Sequence, residues 1–233
     1  MPQKSPFFKG VRTSWIYEPC DELGGDSLNV FTLDENHVGF YVLDVAGHGI
    51  RAALLSVSVS HFLSPYSEYS FLRSGSAILC PHEVLGRLND QFSSHPAFNQ
   101  FVTLAYGIMD IRTLELTYAS AGHTPILHFS NDKANFLRGG GPPIGILSGE
   151  IYPVERISLK RGDRLFMYSD GITEARTAKG DLFGEKRLCA VLESAKKEPI
   201  DQALSKTFSA IQNDTPGHRL SDDVAMLGVE LKS

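Results

Sequence analysis

The chain has 233 residues, enough for one large domain or two small ones, with 42% hydrophobic and 21% charged residues, close to the globular average. That composition excludes a disordered or collagen-like chain, and no apolar run approaches the roughly 20 residues of a membrane-spanning helix. With 27 acidic against 22 basic residues the net charge is −5, and no Lys/Arg run exceeds a pair, which excludes nucleic acid as the main partner.

The opening MPQKSPFFKGVRTSW lacks the apolar core of a secretion signal. Cys20, Cys80 and Cys189 are odd in number and widely spaced, fitting neither a disulfide framework nor a CxxC zinc site. They read as small buried hydrophobes in a protein of the reducing cytoplasm. No linker divides the chain, so a single domain over 1–233 is expected, with 1–14 as an irregular lead.

In chain order, the first 24 residues read as irregular, broken by Pro6, Pro19 and Gly24-Gly25. Ser27 to Leu33 and Val38 to Leu43 read as strands of a hairpin around Asp34-Glu35-Asn36, the second apolar enough to be buried on both faces. Ile50 to Leu63 reads as a helix with Ala53, Leu54, Val57 and Phe62 at helical spacing, stopped by Pro65. The segment from Ser64 to Cys80 is a loop without a readable pattern. A second helix begins at Pro81 with Val84, Leu85, Leu88 and Phe92 on one face. Phe101 to Met109 and Leu114 to Ser120 form a second hairpin, and Ile126 to Phe129 with Ala134 to Leu137 a third. Gly139 to Pro143 is a loop. Asp163 to Ser169 is a strand, Gly184 to Lys196 and Ile200 to Gln212 are helices, and Val224 to Leu231 closes the chain as a strand. Hairpin-rich strands with helices inserted early and late predict an α+β layered fold. A Walker loop and a GxSxG elbow are missing, and the prolines after Gly139-Gly140-Gly141 cannot present N–H donors to a phosphate, so nucleotide binding is disfavoured.

Aspartates recur where apolar strands meet polar loops. Asp26 opens the first strand and Asp44 closes the second, each nine residues from Glu35, so antiparallel pairing puts them at the same open end of the hairpin. Asp170 ends the strand Asp163 to Ser169, and Asp222-Asp223 precedes the last strand. Two readings stay open. Asp is common in turns and caps, where it bonds local N–H groups. Alternatively the carboxylates converge on a divalent cation, which needs several oxygen ligands and relieves their mutual repulsion.

The order Gly24-Gly25-Asp26, Asp44-Val45-Ala46-Gly47-His48-Gly49, Ser169-Asp170-Gly171 and Asp222-Asp223-Val224-Ala225-Met226-Leu227 resembles the metal-dependent serine/threonine protein phosphatases of the type 2C-like class. It is most similar to the bacterial branch of the stage II sporulation protein E phosphatase and the regulators of general-stress sigma factors. Ala121-Gly122-His123-Thr124-Pro125 and Pro142-Pro143-Ile144-Gly145 sit where that branch carries similar text. The resemblance runs from about Trp15 to Leu231.

The resemblance implies a four-layer α-β-β-α sandwich, two stacked antiparallel sheets flanked by helices, with a binuclear Mn²⁺ or Mg²⁺ centre at one end. Carried over by position, Asp44 bridges two metals, Val45 lends its backbone carbonyl, Asp170 and Asp222 hold one metal, and Asp26 ligates directly or through water. Asp223 stands where relatives often have Asn and is placed behind the ligands. The implied reaction is hydrolysis of phosphoserine or phosphothreonine by a metal-activated water, with no protein nucleophile. The implied substrate is a phosphorylated anti-sigma-factor antagonist in partner switching, with a sensor or receiver domain upstream in a longer protein. An inactive binding module of the same fold is the alternative; the complete aspartate set argues against it. His48 is either the general acid for the leaving serine oxygen or a prop of the turn between two glycines, the prop being favoured. His123 reads as a structural polar residue, and Arg12 and Arg51 as surface charge. No acidic flap residue for a third metal is found.

Overall fold

The computed structural model describes residues 8–93, 100–131, 133–215, 217 and 220–232. Along the chain run β1 (Val11–Glu18), β2 (Ser27–Thr32), β3 (His37–Val45), α1 (Ile50–Phe62), β4 (Arg73–Ser74), β5 (Ala77–Ile78) and α2 (Pro81–Ser93). They are followed by β6 (Val102–Asp110), β7 (Glu115–Ala121), β8 (Ile126–Ser130), β9 (Lys133–Leu137), β10 (Glu155–Ser158), β11 (Arg164–Tyr168), α3 (Asp170–Thr173), α4 (Gly184–Ser194), α5 (Ile200–Asp214) and β12 (Val224–Leu231). Two five-stranded sheets result, ordered β1-β12-β11-β8-β9 and β10-β7-β6-β3-β2, with β4-β5 a separate small ribbon. Neighbouring strands in both large sheets run antiparallel.

Period-two alternation explains the layering. Val38, Phe40 and Val42 of β3 point between the sheets, where they meet Leu165 and Met167 of β11 and Leu227 and Val229 of β12. Tyr41, Leu43 and Val45 point outward, against Ala52, Leu55 and Val59 of α1 and Val84, Leu85 and Leu88 of α2. On the other side, Phe166 and Tyr168 of β11 and Met226 of β12 pack on Leu188 and Leu192 of α4 and Ile200 and Leu204 of α5. Three apolar layers therefore lie between four structural ones, the α+β sandwich expected. No helix among the described residues is long and apolar enough to cross a membrane.

Most element boundaries match the sequence expectations, with informative exceptions. The stretch read as irregular contains β1, which pairs along its whole length with β12. Its breakers, Pro6 and Pro19, lie outside the strand, and Val11, Thr13, Trp15 and Tyr17 alternate on one side of it. Strand β10 carries no readable sequence signal, being a short exposed edge strand on β7 with little apolar content. In α1 the buried face is Ala52, Leu55, Ser56 and Val59, which leaves Leu54 and Val57 in solvent, contrary to the spacing expectation. The helix is apolar on two sides, and periodicity cannot choose between them without knowing where the sheet lies. The cysteines are a further correction: all three are free and only partly buried.

Candidate metal centre

The β2–β3 pairing sets the first two carboxylates. Ser27 faces Leu43 across the ladder, so the next step outward brings Asp26 opposite Asp44, the register inferred from their equal distance to Glu35. On the other side of β3, Asp44 pairs with Thr103 of β6. In the second sheet, Tyr168 of β11 pairs with Met226 of β12, so Asp170 after β11 and Asp222-Asp223 before β12 emerge side by side. The two sheets thus deliver their aspartates to one end of the sandwich.

There a cavity of about 440 Å³ is lined by Asp44, Val45, His48, Thr103, Asp170 and Asp222 among others. Asp26 and Asp223 are buried at this end, at 5% and 4% exposure. Asp223 accepts hydrogen bonds from the backbone N–H of Cys20 (2.9 Å) and of Asp26 (3.2 Å), so it ties the lead-in of β2 to the lead-in of β12. Cys20, Asp222 and Asp223 bring one possible ligand atom each to within 4.8 Å of one another. Cys20, read from the sequence only as a buried hydrophobe, lines the cavity, and so does Thr103; a threonine in an apolar strand has no signal until the β3–β6 register is known.

Electrostatics at this end are strained. Burial, then the neighbouring Asp44, pushes the Asp26 carboxyl up to about 9, while the Ser169 hydroxyl pulls the other way. Burial, then Asp170 and Asp222, raises Asp44 to about 7. Asp170 is raised by burial, by Asp222 and by Glu174. One buried oxygen of Asp26, Oδ2, has no hydrogen-bond partner. Carboxylates crowded together with an orphaned acceptor are what a bound cation relieves, so the residues present fit a hard divalent metal.

Glycines make the approach possible. A side chain at Gly171 would land on the carbonyl oxygen of Asp223, so the start of α3 lies flush against the start of β12. A Cβ at Gly25 would come within 3.1 Å of the Val45 carbonyl. Gly171→Ala should therefore push Asp170 away from Asp222. Overpacking of this kind costs about 1–3 kcal/mol, read as a lower melting temperature together with a weaker response to Mn²⁺ in the same titration. An unchanged melt and an unchanged metal response would show that the loop gives way freely.

His48 lies in an exposed turn, 3.9 Å from Asp21 Oδ2, its side chain 79% exposed. Its neighbours Gly47 and Gly49 both hold positive φ, 91° and 82°, a conformation that favours glycine. The turn is tied to the approach to β6, where Ala46 N–H donates to the Phe101 carbonyl (3.0 Å) and Gln100 donates to the Ala46 carbonyl (2.9 Å). Arg12 lies away from the cavity and pairs with Glu230 at 3.5 Å, as surface charge does. Arg51 is exposed in the first turn of α1.

Two stacked antiparallel sheets with outer helices and aspartates gathered at one end define the PP2C phosphatase fold. The SiaA-PP2C domain of Pseudomonas aeruginosa superposes with a TM-score of 0.79 at 19% identity, over 94% of this chain and 85% of that one. The chain belongs to the family described as Stage II sporulation protein E (SpoIIE), whose model matches residues 34–232. Among curated relatives from Bacillus subtilis, the phosphoserine phosphatase RsbP is 28% identical over 95% of this chain, and the phosphoserine phosphatase RsbU 28% over 91%. The chain spans 53% of the length of RsbP and 63% of that of RsbU.

Proposed function

We propose that this chain is a metal-dependent protein phosphatase that hydrolyses phosphoserine or phosphothreonine. The observation that carries the reading is the meeting of Asp44, Asp170 and Asp222 on one cavity, beside a buried Asp26 with an unpartnered oxygen. Relatives of similar sequence are named phosphoserine phosphatases, which supports the same choice. Asp44, the Val45 carbonyl, Asp170 and Asp222 are assigned to two Mn²⁺ or Mg²⁺ ions, Asp26 to a direct or water-bridged contact, and Asp223 to holding the Cys20 and Asp26 backbone in place. When bound, the ions lower the pKa of water and neutralise charge on the phosphoryl group. Oxygen-rich ligation favours these hard ions.

The chain's own residues then bind and orient. The cavity of about 440 Å³ has room for a phosphorylated side chain presented by another protein. The substrate class assigned is a phosphorylated anti-sigma-factor antagonist, with this chain acting in partner switching under an attached sensor or receiver domain; the greater length of the relatives supports that arrangement. A reducing compartment, the cytoplasm, suits the three free thiols. Hydrolysis of para-nitrophenyl phosphate with added Mn²⁺, and its loss in chelator, tests the activity; a chain inert to every phosphate ester with Mn²⁺ present is a binding module instead.

His48→Ala separates the two roles of that residue. A general acid contributes roughly 10²–10⁴ in rate, confined to a poor leaving group. As a turn prop, the role its flanking positive-φ glycines favour, His48→Ala lowers turnover of a phosphoserine peptide and of para-nitrophenyl phosphate by the same factor. A selective loss on the peptide makes His48 the acid.

A further inference from the structure

Beside the candidate ligands lies a hydrogen-bonded pair that their assignment does not use. Thr103 lines the cavity, and it stands directly across the ladder from Asp44, so the two side chains share a face. Its Oγ1 is 2.7 Å from Nδ1 of His123. His123 follows the end of β7 in a tight corner, where Gly122 holds φ 65° and packs against Pro143. The Gly122 N–H donates to the Gly141 carbonyl (3.0 Å), and Ile144 exchanges backbone hydrogen bonds with Val102, the neighbour of Thr103. The two short segments 121–125 and 142–145 thus close around His123 and hold it against β6.

The protonation pattern of this imidazole follows from its surroundings. Burial drives its pKa down to about 4, against the pull of the Tyr168 carbonyl, so the ring is neutral at physiological pH. Nε2 is buried without a hydrogen-bond partner, and the polar backbone group that bears on the ring is the Tyr168 carbonyl, an acceptor. With Nδ1 occupied by Thr103, the acceptor beside the ring is assigned to the Nε2 side, so Nε2 carries the proton of the neutral ring and Nδ1 accepts. The Thr103 hydroxyl must then donate to Nδ1, which leaves its oxygen lone pairs toward the cavity.

We propose that His123 is a positioning residue that fixes the Thr103 hydroxyl as a hydrogen-bond acceptor, and that Thr103 thereby orients the water that attacks phosphorus. An acceptor at that point repels the anionic phosphoryl oxygens and attracts a molecule that still carries a proton, which water does and the phosphate dianion does not. Placed beside Asp44, it aligns the water before reaction, an effect on turnover rather than on binding. This role rests on the phosphatase reading. It differs from that of a leaving-group acid because it does not depend on the leaving group.

The test combines kinetics with a measurement that needs no turnover. In the Mn²⁺-loaded chain, Thr103→Val, close in shape but without the hydroxyl, should lower kcat by roughly 10²-fold, the cost of misplacing a reacting group by about 1 Å. KM and the Mn²⁺ requirement should stay near wild type, and the loss should be equal for para-nitrophenyl phosphate and a phosphoserine peptide. Thr103→Ser should recover most of the rate. His123→Phe should match Thr103→Val, the double variant should be no worse than either, and His123→Asn, whose amide oxygen falls near the Nδ1 position, should recover part of the loss. Nitrogen-15 NMR of the histidine rings in the metal-free chain should show His123 with the proton on Nε2. A proton on Nδ1, additive losses, or wild-type kcat in Thr103→Val overturns the role of the pair while leaving the phosphatase intact. A wild-type chain without metal-dependent hydrolysis of either substrate overturns the phosphatase reading, and the role of the pair falls with it.

Discussion

Asp44→Asn is expected to abolish hydrolysis of both para-nitrophenyl phosphate and phosphoserine peptides at any Mn²⁺ concentration. Asp44 lies at the centre of the site: it is opposite Asp26 at the open end of the β2–β3 ladder, and its carboxyl is raised by burial and then by Asp170 and Asp222 from the second sheet. A carboxylate in that position can serve two cations with one negative charge. The amide keeps the shape but removes the charge and half of the acceptor capacity. Losing several kcal/mol of charge stabilisation amounts to about 10³-fold or more in rate. Asp170→Asn differs, because it is assigned to a single ion. Its activity should fall at low Mn²⁺ and recover in part as Mn²⁺ is raised, so a metal titration of both variants orders their roles. Wild-type turnover in Asp44→Asn would remove the centre of the assignment.

The site was legible in the sequence to the extent that it depends on local register. Equal spacing of Asp26 and Asp44 from Glu35 needs only a hairpin to bring them together, and that hairpin formed in the inferred register. Convergence of Asp170 with Asp222 needed more, because β11 and β12 are separated by three helices and meet only through the sheet. There the motif order supplied what periodicity could not. Thr103 stayed hidden for the same reason: β3 and β6 pair across α1 and α2, and no local pattern encodes that register. Strand β1 is hidden from local rules because it makes an edge at the start of the chain, and its pairing with β12 closes a contact over nearly the whole sequence. The buried face of α1 is ambiguous in the sequence because Ile50, Leu54 and Val57 form an apolar stripe as regular as the one that meets the sheet. Local rules determine elements and adjacent hairpins; the tertiary neighbours decide which of two plausible faces is buried.

Melting of the metal-free chain should show the cost of the carboxylate cluster directly. Asp26 and Asp44 have folded pKa values of about 9 and about 7, both above the unfolded value near 3.9. Between those limits the folded chain holds more protons than the unfolded one, so stability decreases as pH rises. The contribution is fully present below about pH 4 and is lost as pH passes through about 7 and then about 9. In chelator, the melting temperature should therefore fall from pH 5 to pH 9. Divalent metal reverses the sign of the effect, because its ligands must be ionised and the cation replaces the missing charge. Mn²⁺ at 100 times its dissociation constant stabilises by about 2.7 kcal/mol, worth roughly 5–11 °C in a chain of this size. That gain should grow with pH and shrink in Asp44→Asn. A metal-free melting temperature that is flat or rising over this range, or a Mn²⁺ shift equal in wild type and Asp44→Asn, would place the cation elsewhere.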